Sequence, residues 1–148
     1  MRETIDLLRE VSVRCRNGRP LEGELAHWLG ESLQQFLDHR CRSVDDALGL
    51  HFPRGGVPWW RELAMRERDR ALRVLAERFC GGMPVAARAR RVRALSLRYA
   101  ASTWRHDRAH DAMPSHYAGT PHELLWCAFR SGAAMPLGER QLRTILGP

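Results

Sequence analysis

The chain has 148 residues, enough for one domain or two small lobes. Its composition, 44% hydrophobic and 28% charged, is globular and excludes a collagen, a coiled-coil rod and a disordered tail. Twenty-four basic residues, all arginine, against 17 acidic ones give a formal charge of +7 and point toward a polyanionic partner.

Helical periodicity runs through the chain, and no stretch alternates cleanly with β-branched enrichment. The expected fold is all-α, a compact bundle of about six helices. The first helix covers about residues 2–16, with Ile5, Leu8, Val11 and Cys15 on one stripe and Gly18 as its stop. A second begins near Pro20, and Leu21, Leu25, Trp28, Leu29, Leu33, Phe36 and Leu37 form its amphipathic face, read as core. Ser43 with Asp46 reads as the capped start of a short helix ending at Leu50. Residues 51–58, HFPRGGVP, carry two prolines and two adjacent glycines, and mark a seam between candidate lobes 1–50 and 58–148.

A long helix over about 58–80 opens with Trp59 and Trp60 and carries Leu63, Leu72, Leu75, Ala76 and Phe79. Its middle, Arg66 to Arg70, is charged all round and is expected to be largely solvated or to face a partner, supported by the i,i+4 pairs Glu62 with Arg66 and Asp69 with Arg73. Cys80-Gly81-Gly82-Met83 breaks the chain, and Pro84 starts a helix expected to run to about residue 108. After a loop over Met113 to Gly119, Thr120-Pro121-His122-Glu123 combines a Thr cap, Pro in the first turn and Glu at the third position. That helix stops near Ser131-Gly132, and the last spans about 137–146 with Leu137, Leu142, Ile145 and Leu146.

Cys15, Cys41, Cys80 and Cys127 form no CxxC pair, so they read as reduced, small core residues rather than a zinc ribbon or redox motif. The first 18 residues mix charge with apolar residues and read as a helix rather than a signal peptide. No apolar stretch approaches the roughly 18 residues that span a bilayer, so no membrane partner is expected and the setting reads as bacterial-type cytoplasm.

The charge is uneven. Residues 1–74 hold 13 Arg against 12 acidic residues, whereas 75–148 hold 11 against 5. Segment 83–106 contains Arg88, Arg90, Arg91, Arg93, Arg98 and Arg105 and no acid. On one helix Arg88, Arg91, Arg98 and Arg105 share about a 100° arc, and Val85, Val92, Leu95 and Tyr99 span a different arc that overlaps it at Leu95. Guanidinium suits phosphate because its planar fork bonds two oxygens at once and stays charged. These arginines, with Arg108, are the candidate nucleic-acid contacts; Arg90 and Arg93 lie on neighbouring arcs and face bases or packing.

Two helix-turn-helix arrangements are conceivable: the long helix, the GGMP turn and the Arg-rich helix, or the stretch from Leu124 through Gly132 to Leu146. In the second, Gly138 and Gln141 fall where apolar packing residues belong. His106, His110, His116 and His122 cluster, yet the HExxH pattern is absent and no metal is expected. Cys127 near His122, and Cys41 near His39, make no nucleophilic dyad on sequence grounds, and GxGxxG, GxxxxGK[ST] and GxSxG are all missing. Trp59, Trp60, Tyr99, Trp104 and Trp126 are able to stack bases but read first as core, with Trp104 beside Arg105 the one to watch.

The expectation is a helical protein without catalytic motif or cofactor, binding nucleic acid, duplex DNA ahead of RNA, as a small bacterial or phage regulator. The alternative is an adaptor or inhibitor that uses the charged 66–70 turn, the Trp59 and Trp60 pair or the same Arg face to hold an acidic protein; a protein partner or a homodimer remains open.

Overall fold

Arginine, leucine and alanine are among the strongest helix formers, and this chain is rich in all three. The computed structural model describes residues 2–50, 56–136 and 138–147, and among these every regular element is helical. The helices are α1 (Arg2–Arg16), α2 (Gly23–Leu37), α3 (Val44–Ala47), α4 (Trp59–Phe79), α5 (Val85–Ala101), α6 (Trp104–Asp107), α7 (Pro121–Arg130) and α8 (Glu139–Leu146), with a 3-10 turn at Ser115–Tyr117. The chain divides into two compact units, Met1–Trp59 and Trp60–Pro148. Of the seam read at 51–58, residues 51–55 lie outside the described residues, as does Leu137.

In the first unit, α1 ends as its glycine requires. Gly18 takes φ 63°, and the Arg19 and Gly18 amides donate to the Arg14 and Cys15 carbonyls at 2.8 and 3.2 Å. The same closure ends α2 with a non-glycine residue, His39 at φ 55°, whose neighbour Arg40 donates to the Gln35 carbonyl at 3.0 Å. Helix α2 starts at Gly23 rather than Pro20, and only part of its expected face is covered. Leu25 is buried, Leu21, Trp28 and Leu29 are half-buried, and Leu33, Phe36 and Leu37 are exposed by 42, 37 and 67%. Helix α3, which packs on α2, has four residues and is too short to cover two further turns. Its Ser43 hydroxyl accepts the Asp46 amide at 3.1 Å, the expected cap.

The second unit holds the larger core. Ala71, Leu72, Leu75 and Ala76 of α4 meet Ala89, Val92 and Tyr99 of α5, Leu124, Leu125 and Ala128 of α7, and Leu142, Ile145 and Leu146 of α8. Cys80 is the cysteine that behaves as a core residue; Cys15 and Cys127 are exposed and Cys41 is half-buried, which corrects the expectation for three of the four. All four thiols are free.

The charged turn of α4 also departs from expectation. Glu62 and Arg66 pair as the spacing predicts, but Asp69 does not reach Arg73. Arg68 instead lies buried, 6% exposed, with Nε 2.8 Å from Asp69 Oδ1 and a terminal nitrogen donating to the Ala134 carbonyl. Arg73 turns to α8 and donates from Nε to the Ile145 carbonyl at 2.8 Å, satisfying one of the acceptors that a helix C-terminus leaves open. A buried guanidinium is tolerated only with such partners. Arg68→Ala is therefore expected to lower the unfolding free energy by about 3 kcal/mol in urea denaturation, against less than about 1 kcal/mol for the exposed Arg66→Ala.

Candidate nucleic-acid interface

Helix α5 sorts its side chains by angle. Ala89, Val92, Ser96 and Tyr99 are buried at spacings of three and four, and the helix packs along α8. The opposite arc of about 120° carries Arg90, Arg91, Ala94, Leu97, Arg98 and Ala101, all exposed. Three of the seven candidate arginines, Arg90, Arg91 and Arg98, thus share one solvent face. Arg90 belongs to that face rather than to a neighbouring arc. Arg88 and Arg93 sit at its margins, half-buried; Arg88 Nε is sealed without an acceptor among the described residues, and Arg93 is already engaged.

Arg105 and Arg108 do not continue the stripe, because the helix expected to reach residue 108 ends at Ala101. The Ser102 hydroxyl bonds back to the Arg98 carbonyl at 2.8 Å, a contact that competes with helix continuation. The decisive force lies further on. Asp107 is 5% exposed, accepting from the Tyr99 hydroxyl at 2.6 Å on Oδ2 and from the Tyr117 hydroxyl at 3.3 Å on Oδ1. In a straight helix Asp107 would stand about 12 Å along the axis from Tyr99. The chain has to break and fold back for a buried carboxylate to be satisfied, and α6 is the one short turn that does so. Arg105 and Arg108 are carried on this turn and remain exposed.

Aromatic packing surrounds the carboxylate. The Tyr99 ring lies 5.2 Å from Phe129 and 5.5 Å from His122, and Trp104 lies 5.4 Å from Phe129. Trp104 is thereby a half-buried core residue, not a free stacking platform. Helix α7 starts where expected, but its Thr120 hydroxyl donates to the Tyr117 carbonyl instead of capping, while Glu123 accepts the Gly119 amide at 2.7 Å. A pocket of about 330 Å³ opens beside this cluster, with Arg98, Ser102, Thr103 and His122 in its lining.

None of Arg90, Arg91, Arg98, Arg105 and Arg108 forms an ion pair among the described residues. No acidic residue occurs between Glu77 and Asp107. The structural division sharpens the imbalance: the first unit holds 8 Arg against 9 acidic residues, the second 16 against 8.

The other candidates are not assembled. The links between α4 and α5, residues 80–84, and between α7 and α8, residues 131–138, are five and eight residues long, against three to four in a helix-turn-helix. His106 lies on α6 and His110 beyond it, so they do not share a helix face. Among the described residues no three His, Cys, Asp or Glu side chains gather as metal ligands. Cys127 is exposed as a residue, but partial desolvation of its sulfur against α7's neighbours, and secondarily the Glu123 carboxylate, push its thiol up, which opposes thiolate formation.

Burial pushes the Tyr99 phenol well up and the Tyr117 phenol up, reinforced in both by the Asp107 carboxylate that accepts their hydrogen bonds. Both stay protonated in the folded chain at a pH where the unfolded chain ionises them, so their contribution is complete below about pH 10 and is lost as pH rises. Unfolding free energy is expected to fall above about pH 10 by up to about 1.4 kcal/mol per pH unit for each phenol. The thiol of Cys80, raised by burial, and that of the exposed Cys127, raised by partial desolvation of its sulfur, act in the same direction from about pH 9. Tyr99→Phe should cost about 2 kcal/mol at neutral pH and make the alkaline loss shallower, both read from urea midpoints across pH 7–12.

The chain matches no protein-family model, no curated protein and no solved structure.

Proposed function

We propose that the chain binds nucleic acid, duplex DNA ahead of RNA, through the exposed face of α5 and the turn that follows it. The observation that carries the reading is the set of unpaired, exposed arginines, Arg90, Arg91 and Arg98 on α5 with Arg105 and Arg108 beyond, in a segment free of carboxylates. Surface arginines without an internal partner keep their full charge available, and each phosphate they neutralise releases a condensed counterion. The pocket beside Arg98 adds imidazole and hydroxyl groups that suit a phosphate oxygen. Leu97, 48% exposed among these arginines, adds an apolar contact at the centre of the face.

The binding proposed is phosphate contact, without a catalytic step and without base readout assigned to any side chain. A regulator of the helix-turn-helix kind has no support in the two inter-helix links.

The test is fluorescence anisotropy of a random-sequence duplex over a salt series. Wild type should lose affinity steeply with salt, and Arg90→Ala/Arg91→Ala/Arg98→Ala should weaken binding at least about tenfold. The log–log salt slope should shrink by about 0.9 for each phosphate contact removed. Arg14→Ala/Arg16→Ala, which lowers net charge equally per residue but lies on α1, should leave the slope unchanged. Absence of binding at low salt, or equal slopes for all variants, overturns the reading.

A further inference from the structure

On α4, Arg70, Ala71, Val74 and Arg78 lie within about a 100° arc that lines an open groove of about 510 Å³ against α7. Its floor is apolar: Ala71 and Leu124 are buried, and Val74 and Trp126 are half-buried. Its edges are cationic, with Arg70 and Arg78 on the α4 side and Arg130 on the α7 side, against the single acid Glu67. Arg70 and Arg78 are exposed and make no ion pair among the described residues. Arg130 lies over the Trp126 ring at 5.8 Å and already has one carboxylate beside it, Asp111 at 3.7 Å.

We propose that this groove docks an acidic amphipathic helix of a partner protein. Two features select that occupant. A small ligand needs enclosure on most of its surface, whereas this groove is open along one side between two helices, the geometry that accepts the apolar stripe of a third. The rim sign selects carboxylates, and eight residues between Arg70 and Arg78 correspond to about 12 Å along α4. Two acids seven or eight residues apart on the incoming helix match that spacing, with apolar residues at intervening i+3 and i+4 positions reaching Val74 and Leu124. The site is separate from the proposed phosphate-binding face of α5, so either is able to fail alone.

The probe is a fluorescein-labelled helical peptide of about 14 residues, roughly 21 Å long, with a leucine stripe and glutamates eight apart. Controls are the same peptide with lysine for glutamate, a scrambled acidic peptide, and sodium laurate. The acidic peptide should bind, Arg70→Glu/Arg78→Glu should weaken it at least about tenfold, and Arg90→Ala/Arg91→Ala should leave it unchanged. Both substituted pairs are exposed, and an unchanged thermal unfolding midpoint verifies the fold. Equal binding of the scrambled or lysine peptide, or indifference to the Arg70/Arg78 reversal, overturns the proposal. So does laurate binding without peptide binding, which assigns the groove to a small amphiphile. A dimer in sedimentation, dissolved by the same reversal while no peptide binds, overturns it in favour of a second copy of the chain.

Discussion

A carboxylate sealed to 5% exposure and bonded to two phenols is the constraint around which the second unit is arranged. Asp107 is largely removed from water, so its acceptors have to be met from within, and the two hydroxyls that bond it come from α5 and from the 3-10 turn after α6. Meeting both forces three things at once: α5 stops at Ala101, the chain reverses through α6, and residues 108–120 fold back to bring Tyr117 alongside. Tyr99 then becomes the hub of the aromatic cluster with Trp104, His122 and Phe129, which seats the first turn of α7. The direction of α7, and with it the floor of the α4–α7 groove, depends on this one polar cluster.

Having a single kind of cation makes its different uses visible. Arg68 is internal, held by Asp69 and the Ala134 carbonyl, and ties α4 to the strand of chain before α8. Arg73 closes the C-terminal end of α8. Arg66 and Arg143 stand in exposed i,i+4 pairs with Glu62 and Glu139, contributing little each. Arg90, Arg91, Arg98, Arg105 and Arg108 in the segment after α4, Arg70 and Arg78 on α4, and Arg61 and Arg140 elsewhere in the unit are exposed and make no ion pair among the described residues. A surplus of that kind raises the self-repulsion of the folded state, and an external anion bound to the α5 face or to the rim of the groove would relieve part of it.

The periodic part of the fold was legible from the residues because helices bury by angle: α5's Ala89, Val92 and Tyr99, and α8's Leu142, Ile145 and Leu146, lie where their spacing puts them. Helix-end signals carried by local chemistry, the stop at Gly18 and the start at Ser43, were legible for the same local reason. Contacts between distant residues were not. Nothing in the stretch around Arg68 distinguishes it from Arg66 or Arg70, because its burial is set by a carbonyl 66 residues away. The break after Ala101 has no glycine or proline to announce it, since its cause is the hydrogen bonding of Asp107. That break took Arg105 off the expected stripe, while burial of Ala89, Val92, Ser96 and Tyr99 set Arg88 at the margin of the exposed face and Arg90 within it. Of the groove only part of one wall was legible, the charged 66–70 turn read as a surface for an acidic partner, because its two walls are about 50 residues apart and nothing local joins α4 to α7.

The two proposed surfaces share a consequence of arginine chemistry. Guanidinium groups stay protonated throughout the range in which proteins fold, so neither an α5–phosphate contact nor an α4–carboxylate contact is switched by pH through loss of the cation. Ionic strength governs both instead, through counterion release in one case and screening of rim charges in the other. They differ in what remains at high salt. A phosphate interface made of exposed arginines has little else to hold it, whereas the groove keeps the apolar burial offered by Val74, Leu124 and Trp126. Salt therefore separates the two modes physically: it removes most of the affinity of the first and leaves a residual hydrophobic affinity in the second.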